Sequence, residues 1–265
     1  MELVDKSLLQ YPMYVHLDMS VSGDKTGLGG VWIVGKKPPV EGQPPSKELF
    51  YRLSFMVSIK APKGHQISFE KNRQFIYWLK ENGFNIKGVS CDTYQSADLL
   101  QQLKGKGFDT EIISVDRVKD NICQPYQYLK STIYEERLVI FEDNLLVEEL
   151  IGLERNNSNG KVDHAPTGIN SKDSADALCG AIWNASQHGE EFDFEFGETL
   201  DTIVDVSLET SEKNYKTQVT IDFEDELKKV SNSFSESLKN DKSVYTDFGL
   251  GASTTDYSMY DCLII

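Results

Sequence analysis

MYVHLDMSVSGDKTGLGGVWIVG, residues 13–35, reads as two strands joined by a polar turn. Met13, Val15, Leu17 and Met19 alternate with Tyr14, His16, Asp18 and Ser20, the period of a β-strand, which puts Asp18 on the more polar face. A second strand is predicted from Thr26 to Gly35, and a third, LFYRLSFMVSI, from Leu49 to Ile59, across a loop carrying Pro38, Pro39, Pro44 and Pro45. Three strands so connected make an antiparallel meander.

Beyond the meander the hydrophobic period changes to that of a helix. Ser68 is placed to cap it, Glu70 falls in its first turn, and Gly83 ends it after Phe69, Ile76 and Leu79. The strand IKGVSC follows, with Asp92 just past its C-terminal end and a helix from about Gln95 to Lys104. Open α/β sheets bind ligands at such strand ends. TEIISV predicts another strand, and helices are expected near Ile122 to Glu135 and Leu145 to Arg155. NNSNGKVDHAPTGIN reads as a polar loop ending at Ser171, the expected N-cap of a helix running to about Ala185. The class is α/β, a mixed sheet with antiparallel first strands and flanking helices.

Three settings for aspartate suggest chemistry: Asp18 on the first strand, Asp92 after a later one, and Asp173 with Asp176 on the last helix. The last two are three residues apart and share a helix face one turn from its start. Several convergent carboxylates suit hard divalent cations, Mg²⁺ or Mn²⁺, and two such ions about 3.5–4 Å apart are the usual catalysts of phosphodiester hydrolysis. Taken singly, each aspartate has a plainer reading, as surface decoration, turn former or helix cap.

A formal net charge of −15 looks hostile to a nucleic-acid ligand until it is divided along the chain. Residues 1–189 hold 21 basic and 24 acidic side chains, a net of −3, and residues 190–265 hold 6 and 18, a net of −12. The chain therefore divides into an α/β domain, 1–189, and an acidic C-terminal extension, 190–265. In the extension TIVDVSL and KTQVTIDF suggest short strands and DFEDELKKVSNSFSESLKN a helix. Cys91, Cys123, Cys179 and Cys262 are too scattered for a zinc motif and read as reduced thiols, with Cys91 a small apolar residue ending a buried strand. No apolar run has the length of a membrane span and MELVDKSLLQ lacks the pattern of a signal peptide, so a soluble, unsecreted chain is expected. SGDKTG resembles the end of a phosphate-binding P-loop but lacks its Gly-Lys pair.

Three blocks, HLDMSVSGDKTGLGG, FNIKGVSCDTYQSADLLQQLKGKGFDTEIISVDR and GKVDHAPTGINSKDSADALCGA, resemble the nuclease domain of tailed-bacteriophage terminase large subunits, in the family's order and over roughly residues 13 to 187. The resemblance implies an RNase H-like fold and metal-dependent endonuclease cutting of concatemeric double-stranded viral DNA. By position, Asp18 matches the first-strand ligand expected to bridge two metals, Asp92 the carboxylate ending the fourth strand, and Asp173 the ligand on the C-terminal helix. Asp176 matches a further acidic position that either binds metal or orients a ligand. Asp24 is a candidate for an outer or second-metal role, Lys172 for offsetting charge on the scissile phosphate, and His164 for approaching the attacking water. For the last two, an ordinary surface lysine and a loop-ordering hydrogen bond are the plainer readings.

The same resemblance implies one cation activating a water and another stabilising the departing 3′ oxygen, in the cytoplasm of an infected bacterial host. The terminase ATPase domain, the portal and the small terminase subunit are the implied partners. With no nucleotide-cradling loop, this polypeptide is expected not to hydrolyse ATP. The rival readings are a catalytically silent RNase H-like docking module and another RNase H-like nuclease, such as a Holliday-junction resolvase. The plainer reading of the extension is a solvated or disordered tail, partly ordered or mobile; the sharper one is that it docks on the portal or another packaging component, or masks the DNA groove as a charge mimic. Truncation near His188 then raises DNA affinity or basal cutting; equal gel-shift and cleavage curves for the two lengths exclude masking.

Overall fold

The structure, a computed structural model, describes residues 6–19, 25–37, 47–60, 67–92, 96–166 and 171–189. A short 3₁₀ turn, Lys6–Gln10, leads into the meander of β1 (Met13–Asp18), β2 (Lys25–Lys36) and β3 (Leu49–Lys60). Helix α1 (Phe69–Glu81) follows, its Ser68 hydroxyl accepting from the Lys71 backbone N–H as a cap. Then come β4 (Ile86–Cys91), α2 (Ala97–Gly105) and β5 (Thr110–Ile112). A small hairpin of β6 (Val118–Lys119) and β7 (Ile122–Cys123) precedes α3 (Gln124–Tyr134), β8 (Leu138–Val139) and α4 (Asn144–Ile151). A second hairpin, β9 (Leu153–Arg155) with β10 (Val162–His164), leads to α5 (Asp173–His188).

Six strands form the main sheet in the order β5-β4-β1-β2-β3-β8. The β1–β2 and β2–β3 pairs are antiparallel, as the alternation predicted, whereas β4 runs parallel to β1, β5 to β4 and β8 to β3. The sheet is mixed and helix-flanked, with an antiparallel start, as expected.

Both faces of the central strands are covered. Met13, Val15 and Leu17 are fully buried, and so are Tyr14 at 2% and His16 at 0% exposure. The expectation of a polar face on β1 is thus corrected: that face lies under α5. Tyr14 stacks on His188 at the C-terminal end of α5 with ring centroids 5.8 Å apart, and the His16 ring lies against Gly180 in its middle. The helix therefore runs back along β1, its N-terminus over the strand's C-terminal end. On the opposite face Trp32 stacks on Phe84, and Phe55 meets Phe75 of α1 edge-on.

Small residues allow α5 to come this close. A methyl group on Gly27 of β2 would collide with the Asp173 carbonyl, and one on Gly180 would collide with the His16 ring. Ala177, Ala181 and Ala185, all fully buried, complete the contact stripe. The closely spaced glycines of TGLGG thus serve helix-to-sheet approach as well as strand formation.

Three further differences from the sequence reading have local causes. The helix expected to run to Arg155 stops at Ile151, and residues 153–155 pair with 162–164 instead, so the expected polar loop is a hairpin. Its tip is a turn in which the Asn156 side chain accepts from the Ser158 N–H at 2.8 Å. The strand TEIISV is regular only over Thr110–Ile112. The two strands and the helix read into residues 190–265, and the division at 189, lie at or beyond the edge of the described residues.

Gly180→Ala is expected to destabilise the chain by about 1–3 kcal/mol, the range for overpacking a tight contact. Urea unfolding monitored by circular dichroism measures it; a loss below about 0.5 kcal/mol would show that the helix is not seated on His16.

Candidate active site

Backbone pairing alone brings two of the predicted aspartates, Asp18 and Asp92, to one end of the sheet. Leu17 of β1 lies beside Cys91 of β4, and the Asp92 N–H donates to the Leu17 carbonyl at 3.3 Å, so Asp18 and Asp92 leave adjacent parallel strands together. Asp18 pairs across β2 with Gly27, the residue lying directly under the Asp173 backbone. The first turn of α5, carrying Asp173 and Asp176, is therefore set over the end of β1. Both carboxylates are largely shielded, at 7% and 5% exposure.

Crowding of like charge follows. Burial first, then the charges of Asp176 and Asp173 and more weakly of Asp92, together lift the Asp18 carboxyl to about 8 against the opposing pull of Lys172. Burial also raises Asp176, to about 6, against the pull of Lys172 and of the Tyr126 hydroxyl that donates to its Oδ1. The four expected ligands thus feel one another through space.

Lys172 is not an ordinary surface lysine. Its ammonium lies 2.7 Å from Asp116 Oδ1 and 2.9 Å from Asp176 Oδ2, and its side chain is 13% exposed. Burial works against its charge, yet Asp176 and Asp116 together hold its pKa above the usual lysine range. His164, on β10, has its Nδ1 3.1 Å from the Ala165 carbonyl oxygen and its Nε2 3.9 Å from Asp163. These are loop-ordering contacts, in line with its plainer reading. Asp24 lies outside the described residues.

The start of α5 also differs from expectation. Lys172 occupies the N-cap without a capping side-chain bond. The cap comes instead from Glu149 of α4, 1% exposed, whose Oε2 accepts from the backbone N–H groups of Ser174 at 2.9 Å and Ala175 at 3.0 Å. Ser171, the expected cap, has its hydroxyl 2.8 Å from Glu149 Oε1 and 2.6 Å from Asp173 Oδ2. One hydroxyl so placed ties the capping carboxylate to a candidate ligand. Glu149, Asp116 and Tyr126 were not singled out from sequence. For Glu149 a signal existed: an acid three residues after buried Leu146 falls on the inward stripe of its helix.

A hard divalent cation fits this donor set chemically. The donors are oxygens only, with Asp173 and Asp176 buried and Asp18 and Asp92 half-buried, and Lys172 is the nearby counter-charge. Among the described residues, no three His, Cys, Asp or Glu side chains already stand in a metal-holding arrangement. Cys91, Cys123 and Cys179 are free and buried, and burial raises all three thiols, so they act as core residues. Among the described residues no helix is long and apolar enough to cross a membrane.

No protein-family model matches this chain, and no curated protein does. Solved structures do. The large terminase of bacteriophage HK97 aligns with a TM-score of 0.50 at 11% identity, over 69% of this chain and 43% of that one. This chain shares the RNase H-like fold of terminase nucleases. It spans less than half the length of the HK97 terminase. Lower in similarity are the large terminase nuclease from thermophilic phage G20c with bound magnesium (TM-score 0.47, 13% identity, 66% of this chain and 82% of that one) and the g2p large terminase nuclease domain from bacteriophage SPP1 with bound Mn (TM-score 0.42, 11% identity, 68% and 91%). At these identities the terminase likeness is one of fold.

The lifted Asp18 carboxyl has a defined pH consequence. The folded chain holds a proton that the unfolded chain has released between about pH 4 and pH 8, so this contribution to stability is complete below pH 4 and is lost as the pH rises through about 8. With divalent metal chelated, Asp18→Asn is expected to raise Tm by about 3 °C or more at pH 8.5 and by progressively less toward pH 4. Thermal melts across that range check it; a gain independent of pH would contradict the crowding.

Proposed function

We propose that this chain is a metal-dependent DNA endonuclease of a viral genome-packaging terminase. What supports this is the convergence of Asp18, Asp92, Asp173 and Asp176 from two neighbouring strand ends and one helix start, within a terminase-type fold. Fold alone would not carry it; the carboxylate constellation does.

In this reading Asp18, Asp92 and Asp173 hold Mg²⁺ or Mn²⁺, two ions per site, which when bound supply charge to activate water and to stabilise a leaving oxygen. The chain's own residues do the rest. Asp173 is fixed by the seat of α5 on β2 and by Ser171, and Glu149 and Lys172 hold the first helical turn. Tyr126 and Lys172 engage both oxygens of Asp176 and so restrict its carboxylate orientation. The substrate is concatemeric double-stranded viral DNA in the cytoplasm of an infected bacterium. The ATPase domain, portal and small subunit of the packaging motor are the partners, and residues 190–265 are an extension outside the nuclease domain.

The deciding experiment is incubation of purified chain with supercoiled plasmid, with and without Mn²⁺ or Mg²⁺. Nicking and linearisation should need the metal, disappear with EDTA, and fall at least about 100-fold in Asp18→Asn that still melts cooperatively. Cleavage indifferent to metal, or retained in Asp18→Asn, refutes the assignment; no cleavage under any condition favours the silent docking module. Strong preference for branched over linear duplex would favour a junction resolvase.

A further inference from the structure

Lys172 was singled out as a group for the scissile phosphate, but its ammonium is already engaged. It lies 2.7 Å from Asp116 Oδ1, and 2.9 and 3.2 Å from the two oxygens of Asp176, and its Nζ stands 5.9 Å from the centre of the Tyr126 ring. To touch phosphate it would abandon two ion pairs in a partly dehydrated place, where replacing them is costly. Asp176 is equally committed, since its Oδ1 also accepts from the buried Tyr126 hydroxyl. Asp116 is anchored from its other side by Lys161, 3.5 Å from Oδ2. Lys161 is 44% exposed, so Lys172, at 13%, is the better shielded of the two cations joined to this cluster.

We propose that Lys172 is a built-in counter-cation: held by Asp116, its ammonium neutralises Asp176 in place of a metal ion and thereby sets how tightly the remaining carboxylates take a divalent cation. This deepens the nuclease reading and rests on it. Lys172 is a positioning residue, acting on the ligands rather than on DNA. The physical basis is simple. A fixed unit charge a few ångströms from the carboxylates opposes entry of a second, doubly charged cation, and deletion of that charge favours it. If Lys172 merely supported the fold, its deletion would loosen the first turn of α5 and weaken metal binding. The two roles therefore predict opposite signs.

The test is isothermal titration of EDTA-stripped full-length chain with Mn²⁺, with no DNA present. Lys172→Met is expected to tighten Mn²⁺ binding by on the order of tenfold, and Lys172→Arg to stay within about threefold of the unaltered chain because its charge is kept. The neutral pair Lys172→Met with Asp176→Asn should also return to within about threefold, as expected if the lysine works through Asp176. Unchanged or weaker binding in Lys172→Met overturns the proposal. Should that single variant not fold, the neutral pair decides: a loss of tenfold or more makes Asp176 a direct ligand and overturns it. An unaltered chain that binds no Mn²⁺ removes the nuclease reading along with this one, whereas normal binding with the wrong response to Lys172 removes this one alone.

Discussion

The seat of α5 on β1 and β2 is the contact from which the arrangement of the site follows. A helix can lie this close to a sheet only where side chains are small, and here Gly27 meets the Asp173 backbone while Gly180 meets the His16 ring. Because the approach is tight and the small residues lie on both partners, the axial position of the helix is fixed as well as its distance. Its first turn is thereby set over the C-terminal end of β1. Asp173 and Asp176 come to Asp18 without any contact among the three being needed to hold them there.

That placement is electrostatically costly, and the surrounding residues distribute the cost. Asp18 feels the charges of Asp176, Asp173 and Asp92, and with burial as the main cause it holds its proton to about pH 8. Glu149 adds a fifth acid nearby, stabilised by the N-terminal N–H groups of α5. Asp116 holds Lys172 against Asp176, and Tyr126 donates to the same carboxylate. A divalent cation would relieve the same repulsion, which is why the apparent liability of the site and its proposed chemistry have one origin.

Much of the secondary structure was legible because local signals agreed. The period-2 alternation located the meander, Ser68 and Gly83 bracketed α1, and IKGVSC was bounded as predicted. The candidate carboxylates were legible as well, through their positions at strand ends and a helix start. Where sequence reading failed, a tertiary contact had overridden a local preference. Ser171 has the chemistry of an N-cap, yet Glu149 from another helix takes that role. Lys172 follows a polar loop and reads as exposed, yet Asp116, 56 residues earlier, draws it inward.

The sequence by itself determined the alternating pattern, the antiparallel start of the sheet and the set of acidic residues able to act as oxygen donors, because these depend on period and residue type. Only the tertiary structure decided that β4 lies beside β1, that the face of β1 bearing His16 and Asp18 is covered, and that Lys172 and Glu149 belong to the site. Those outcomes depend on which surfaces can approach one another and on which buried charges then need a partner. Neither is encoded in the spacing of residues along one chain segment.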